Sequence, residues 1–138
     1  MKPSPTSSVT SVSHVRVRYA ETDQMGIVYH AHYLVWFEVA RTDLLRQFGW
    51  TYREMEQAGV RLPVIEAQCT YLRPARYDDE IQVRASVRLL SAVRLEFTYE
   101  VVLAKDGTTA AVGITRHAAL TMAGRPCRLP DRVREAFA

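Results

Sequence analysis

Apolar and polar residues alternate along five segments of the chain, a pattern typical of half-buried β-strands. The segments are residues 14–19, 65–71, 81–89, 93–103 and 110–122. A tight connection at Leu90-Ser91-Ala92 predicts that the third and fourth strands form a hairpin. In the fifth segment Val112 and Ile114 lie in phase on the predicted apolar face, and Arg116 breaks that phase.

One segment has helical rather than strand periodicity. Its apolar residues recur at spacings of three and four, which predicts a long helix over residues 31–48 that Gly49 ends. We assign the charged residues of this segment, including Arg41, mostly to its other faces. Two short helices are predicted over residues 51–58 and 129–137, the first from its Thr51–Glu54 capping box. Strands that follow one another after a helix indicate an α+β fold, in which the long helix covers one face of an antiparallel sheet.

Composition limits the class of protein. The 138 residues fit one domain, and 48% apolar with 24% charged residues is typical of a soluble globular protein. A net charge of +3 is too small to indicate nucleic-acid binding, although it suits a small polyanionic ligand. No apolar run is long enough to insert into a membrane.

The two cysteines indicate the cellular compartment, and the composition of residues 1–13 indicates where the domain begins. Cys69 and Cys127 match neither a metal-binding nor a disulfide spacing, so we expect a cytoplasmic protein and no bound metal. Residues 1–13 are rich in Ser, Thr and Pro and have no apolar core of a signal peptide. We therefore expect a flexible tail over residues 1–13 and a single domain over residues 14–138.

A polar loop over residues 19–30 leads into the long helix and carries the candidate chemistry. It places Asp23 shortly before a helix N-terminus, where unpaired backbone N–H groups carry partial positive charge. Such an arrangement suits reactions in which a carbonyl oxygen gains negative charge. The structural alternative is that Asp23 only forms an Asx turn or caps a helix.

Three segments resemble one protein family. Tyr19-Ala20-Glu21-Thr22-Asp23, Met25-Gly26-Ile27-Val28-Tyr29-His30 and Trp36-Phe37-Glu38 are similar to the signature of hotdog-fold acyl-CoA thioesterases of the 4-hydroxybenzoyl-CoA thioesterase type. Within this family, the three segments most resemble those of the bacterial thioesterases associated with the Tol-Pal system. Residues 71–79 resemble the family's turn between its second and third strands.

The resemblance implies a fold and an assembly. A five-stranded antiparallel sheet would wrap around one long central helix. Members form dimers whose sheets join edge to edge, often pairing into homotetramers, and their active sites lie at subunit interfaces.

The resemblance also implies an activity, the hydrolysis of acyl-CoA to a free acid and coenzyme A without metal or redox cofactor. Asp23 would be the nucleophile or general base, and the backbone or imidazole of His30 would polarise the thioester carbonyl or contact the substrate. Tyr29 would line the acyl pocket, and Met25 and Gly26 would contact the substrate.

Two further carboxylates and several alternatives stay open. We interpret Glu21 as a solvated loop charge and Glu38 as support for the loop, with Glu38 the reserve catalytic candidate. Other functions are a non-catalytic acyl-CoA-binding module, a hotdog dehydratase acting on acyl-CoA or acyl-ACP, and an adaptor in an envelope complex. The acyl group is open between short aliphatic and aromatic thioesters.

Overall fold

The structure, a computed structural model, describes residues 9–138. Its strands are β1 (Val9–Arg16), β2 (Val60–Arg61), β3 (Val64–Tyr71), β4 (Glu80–Ser91), β5 (Arg94–Leu103), β6 (Thr109–Ala118) and β7 (Leu120–Thr121). Its helices are α1 (His32–Phe48), α2 (Tyr52–Gln57) and α3 (Asp131–Phe137), and a short 3₁₀ turn spans Tyr19–Glu21. Within this range none of the helices combines the length and the apolar character that a membrane crossing requires.

Five strands form one antiparallel sheet in the order β1-β4-β5-β6-β3. β1 and β3 are therefore its two edges, while β2 and β7 make a separate two-stranded pair. β4 and β5 form the predicted hairpin, with Leu89 opposite Leu95. The predicted α+β fold with a five-stranded antiparallel sheet is confirmed.

Helix α1 packs its apolar stripe against the inner face of this sheet. Phe37, Ala40 and Leu44 are completely buried, and the Phe37 ring stacks on Tyr99 of β5 with 4.2 Å between ring centroids. Burying one such large apolar side chain contributes about 1.5–3 kcal/mol. The helix ends where predicted, because Gly49 has a φ of 91° and donates its N–H to the carbonyl of Leu45.

The prediction of which residues of the last long strand face the core was wrong. On β6 Val112 is exposed, whereas Thr115 and His117 are buried on the same face as Gly113, under α1. A Cβ at Gly113 would come within 2.5 Å of the Phe37 ring and of a backbone carbonyl. Small and polar residues face inward here because the helix approaches closely, and this leaves no apolar signal in the sequence.

Arg116 breaks the predicted phase because it belongs to a row of charges on the outer sheet face. Its Nε donates to Glu96 at 2.8 Å and its Nη1 to Glu66 at 2.7 Å. Arg88 donates to the other oxygen of Glu96 at 2.8 Å. Positive and negative side chains therefore alternate across four neighbouring strands, an arrangement in which cross-strand pairs stabilise the sheet.

The first strand begins earlier than predicted. β1 starts at Val9 and pairs with β4, so residues 9–13, which we assigned to a flexible tail, belong to the sheet. Ser11 and Ser13 face inward, and the Ser13 hydroxyl donates to Asp43 of α1 at 2.7 Å. Serine at buried positions hides the alternation of the strand. Residues 1–8 of the predicted tail lie outside the described residues.

Candidate active site

The loop between β1 and α1 folds back on itself as a narrow hairpin. The Tyr29 N–H donates to the Glu21 carbonyl at 2.8 Å, and the Asp23 N–H donates to the Ile27 carbonyl at 2.9 Å. Gly26 closes the turn with a φ of 79°, which favours glycine. Asp23 therefore lies at the tip of the loop, and His30 lies where the other arm meets the helix.

Glu21 ties this loop to the helix, and its interpretation as a solvated charge was wrong. The side chain is only 4% exposed. One carboxylate oxygen accepts from the Arg18 backbone N–H at 2.8 Å, and the other accepts from Trp36 Nε1 at 3.2 Å. Because both oxygens have donors, burial of this charge is compensated.

Asp23 uses one carboxylate oxygen to shape the loop. Oδ1 accepts from the Met25 N–H at 2.8 Å, which is an Asx turn. Oδ2 has no hydrogen-bond partner among residues 9–138, and the side chain is partly exposed. The Asx turn uses Oδ1, whereas a chemical role would use Oδ2. The two roles of Asp23 therefore do not exclude each other.

The start of α1 presents backbone N–H groups that the described residues leave without partners. The His32 N–H donates to the Tyr29 carbonyl, whereas the N–H groups of His30 and Ala31 have no acceptor in the described part of the chain. The Tyr71 hydroxyl of β3 donates to the His30 carbonyl at 3.0 Å and fixes this end of the helix. Two free donors at a helix N-terminus form a site for developing negative charge.

The loop brings five of the six predicted site residues together. Met25 and Tyr29 are 75% and 45% exposed, and open space surrounds the Cα of Gly26. Large apolar side chains left this open are typical of a binding surface. The Tyr29 and His30 rings lie 4.5 Å apart.

Glu38 is not part of this group. It lies eight residues beyond His30, about 12 Å along the helix axis. Its side chain is exposed, and no hydrogen bond joins it to the loop within the described residues. It lines a cavity beside Arg41.

The sequence analysis missed a buried polar group on α1. We assigned Arg41 to the polar side of the helix, but it is 9% exposed and donates to the hydroxyls of Tyr52 at 3.1 Å and Tyr99 at 3.5 Å. The spacing offered a signal, because Arg41 is four residues after Phe37 and three before Leu44, on the apolar stripe.

An antiparallel sheet wrapped around one long helix is the hotdog fold. The family model described as the thioesterase-like superfamily matches residues 17–137. The chain belongs to this superfamily.

Individual relatives agree with this assignment. "Putative acyl-CoA thioesterase YneP" of Bacillus subtilis is 42% identical over 91 residues, which is 66% of either chain. "Acyl-CoA thioester hydrolase YbgC" of Escherichia coli O6:H1 is 34% identical over 67% of this chain and 69% of its own. The crystal structure of a DHNA-CoA thioesterase from Staphylococcus aureus is 35% identical, with a TM-score of 0.82 over 87% of this chain and 80% of that one.

Proposed function

We propose that this protein hydrolyses an acyl-CoA thioester to a free carboxylic acid and coenzyme A, with Asp23 at the reaction centre. One observation carries the proposal. A carboxylate oxygen without a partner lies at the tip of a loop that ends at the free N–H groups of a helix N-terminus. The acyl-CoA thioesterase names of its relatives support the same reaction.

The proposed mechanism uses the carboxylate of Asp23 and the backbone N–H groups at the start of α1. Oδ2 of Asp23 either takes a proton from the attacking water or attacks the acyl carbon itself, forming a mixed anhydride that water then hydrolyses. In both routes the C–S bond breaks, and the thiolate of coenzyme A leaves and takes up a proton. The N–H groups of His30 and Ala31 would stabilise the oxyanion.

The neighbouring residues have binding roles in this proposal. Met25 and Tyr29 are exposed apolar side chains beside the reaction centre, suited to contact the acyl group or the pantetheine arm. The absence of a side chain at Gly26 leaves room for the substrate. Glu38 remains the reserve catalytic carboxylate. The proposed reaction uses water and needs no metal or redox cofactor.

We further propose that the protein acts as a homo-oligomer in the cytoplasm. The edge strand β3 and the outer side of α1 expose apolar side chains that a second copy would cover, among them Val39 and Ile65. Edge-to-edge pairing at β3 would give a dimer, and pairing of dimers into a tetramer stays a prediction. A cytoplasmic location is consistent with two cysteines that form no disulfide.

The test is thiol release from a panel of acyl-CoAs by the purified protein, followed with a thiol reagent. We expect hydrolysis of at least one thioester, and the panel should span short aliphatic, long aliphatic and aromatic acyl groups. Binding of an acyl-CoA without hydrolysis of any would contradict the proposal and favour a binding module. Addition of water to an enoyl-CoA on the same panel would favour a dehydratase.

A further inference from the structure

Arg41 is a buried cation that forms no ion pair with a carboxylate among the described residues. Its side chain is 9% exposed, and its two hydrogen-bond acceptors are the hydroxyls of Tyr52 and Tyr99. Burial raises the pKa of both hydroxyls above its ordinary value, so both are neutral at physiological pH. Among residues 9–138 no acidic side chain forms an ion pair with Arg41. Because an isolated buried charge is costly, a counter-charge is expected from elsewhere.

A chain of hydrogen bonds holds the guanidinium without supplying that charge. The Leu62 carbonyl can only accept, so His117 Nδ1 donates to it at 3.0 Å. Burial lowers the pKa of His117 to about 4, so the ring is neutral and Nε2 accepts from the Thr115 hydroxyl at 2.9 Å. Thr115 then accepts from Tyr99 at 2.6 Å, and the Tyr99 oxygen accepts from Arg41. Every group in the chain is neutral except Arg41.

The guanidinium adjoins a cavity of about 240 Å³ between α1 and the sheet. The walls of the cavity are apolar and consist of Leu34, Val35, Val64 and Ala67. Of the five N–H donors of an arginine, Arg41 uses two, and three have no partner in the described part of the chain. Glu38 lines the same cavity but makes no ion pair with Arg41. The cavity therefore suits an apolar group that carries an oxygen acceptor.

This cavity begins close to the proposed reaction centre. Leu34 and Val35 belong to the first turn of α1, next to the free N–H groups at its start. Arg41 lies ten residues beyond Ala31, about 15 Å along the helix axis, and side chains on a helix lean back toward its N-terminus by roughly 5 Å. Measured along the helix axis, the guanidinium is thus about 10 Å from the N–H groups proposed to bind the thioester carbonyl, which an extended chain spans in about eight bonds.

We propose that Arg41 determines substrate specificity by binding a carboxylate oxygen near the far end of the acyl group. The inference rests on the proposed thioesterase function and names its substrate class, acyl-CoAs whose acyl group carries a carboxylate oxygen about eight bonds from the thioester carbonyl. The apolar walls enclose the intervening carbon atoms. The carboxylate supplies the counter-charge that the described residues lack.

The test compares suberoyl-CoA, whose acyl chain ends in a carboxylate, with octanoyl-CoA, which has the same number of carbon atoms and ends in a methyl group. We expect the wild type to have a higher kcat/KM for suberoyl-CoA by roughly ten- to a hundredfold, the usual effect of a hydrogen bond to a charged group. Arg41→Met should abolish that ratio and still hydrolyse octanoyl-CoA. The matched control is Arg46→Met, because Arg46 is exposed on the same helix and, within residues 9–138, pairs only with Asp43.

An unchanged ratio in Arg41→Met, or a wild type without preference for suberoyl-CoA, would overturn the proposal. A shift of Arg41→Met to a smaller oligomer with an unchanged ratio would do the same, because it would assign the counter-charge to a second copy of the chain. If Arg41→Met does not fold, Arg41→Gln decides, since glutamine keeps N–H donors and removes the charge. A lower ratio in Arg41→Gln supports the proposal, and an unchanged one overturns it.

Calorimetric binding of both ligands separates this proposal from the thioesterase function. If the wild type hydrolyses neither thioester, the proposed function fails, and affinity then tests Arg41. Tighter binding of suberoyl-CoA that Arg41→Met abolishes supports the assignment of Arg41, and equal affinities overturn it.

Discussion

His117 shows how the environment of one buried side chain makes stability depend on pH. It is completely buried, and burial lowers its pKa from 6.5 to about 4. Between these values the unfolded chain binds a proton that the folded chain does not bind. The free energy of unfolding therefore falls as the pH falls from 6.5 toward 4, by up to about 3 kcal/mol from this residue.

We expect His117→Gln to be less stable than the wild type at pH 7 but to lose less stability between pH 7 and pH 4.5. Urea unfolding at several pH values measures both quantities. His14→Gln is the matched control, because His14 is exposed on β1. Equal pH slopes for the wild type and His117→Gln would show that His117 does not carry this dependence.

At the residue scale, the sequence predicted the positions whose neighbours are close in the chain. Asp23, Met25 and Tyr29 share one short loop, so their motif was enough to predict that they lie together. Glu21 was misassigned because its burial depends on the contact with Trp36, 15 positions away. Arg41 was misassigned because its charge suggested exposure, although its spacing places it on the apolar stripe. Arg41 bonds with Tyr99, 58 positions away, and no local pattern records that contact.

At the element scale, the edge strand β3 is the feature that most needs a partner. Its residues are exposed apart from Cys69, which is partly buried, whereas β4 and β5 bury one face. An exposed edge with apolar side chains is a template for pairing with another strand. We therefore expect the protein, with a chain mass of 15.7 kDa, to sediment at twice that mass or a higher multiple.

We expect Ile65→Lys to shift the protein to the monomer, because a charge on the edge opposes strand pairing. Ile65 is 47% exposed, so the variant should fold. Sedimentation velocity at several concentrations measures the effect, and Val12→Lys on the opposite edge strand is the control. A monomeric wild type, or a monomer formed only by Val12→Lys, would contradict pairing at β3.

The helices were the most predictable elements, because their signals are local. Thr51 and Glu54 form the predicted capping box, and Gly49 adopts the left-handed conformation that ends α1. The inward face of β6 could not be predicted. Gly113 leaves the space that the Phe37 ring occupies, and Thr115 supplies a hydrogen bond to the Tyr99 hydroxyl. Both requirements arise only in the folded molecule.

At the scale of the whole molecule, the sheet and α1 hold the two halves of the proposed site in place. The loop is anchored to the helix through Glu21 and Trp36, and Tyr71 of β3 fixes the helix start. The order of elements predicted the fold class, since a helix followed by consecutive strands leaves few packings. It could not predict the cavity beside Arg41, which three elements distant in sequence form together.

The most direct test of the central claim compares Asp23→Asn with Asp106→Asn. The two aspartates make the same local structure, because Oδ1 of each accepts the N–H two residues later, from Met25 at 2.8 Å and from Thr108 at 3.0 Å. Asparagine keeps that acceptor, removes the negative charge and replaces Oδ2 with an NH2 donor. The comparison therefore separates a turn-forming role from a chemical one.

We expect Asp23→Asn to lower kcat/KM for the preferred thioester by at least about a hundredfold, the usual effect of removing a catalytic acid or base. Asp106→Asn should retain full activity, and both variants should remain folded. Full activity in Asp23→Asn would contradict the account and make Glu38 the next candidate. An equal loss of activity in both variants would show that the substitution acts on the protein in general rather than through the charge of Asp23.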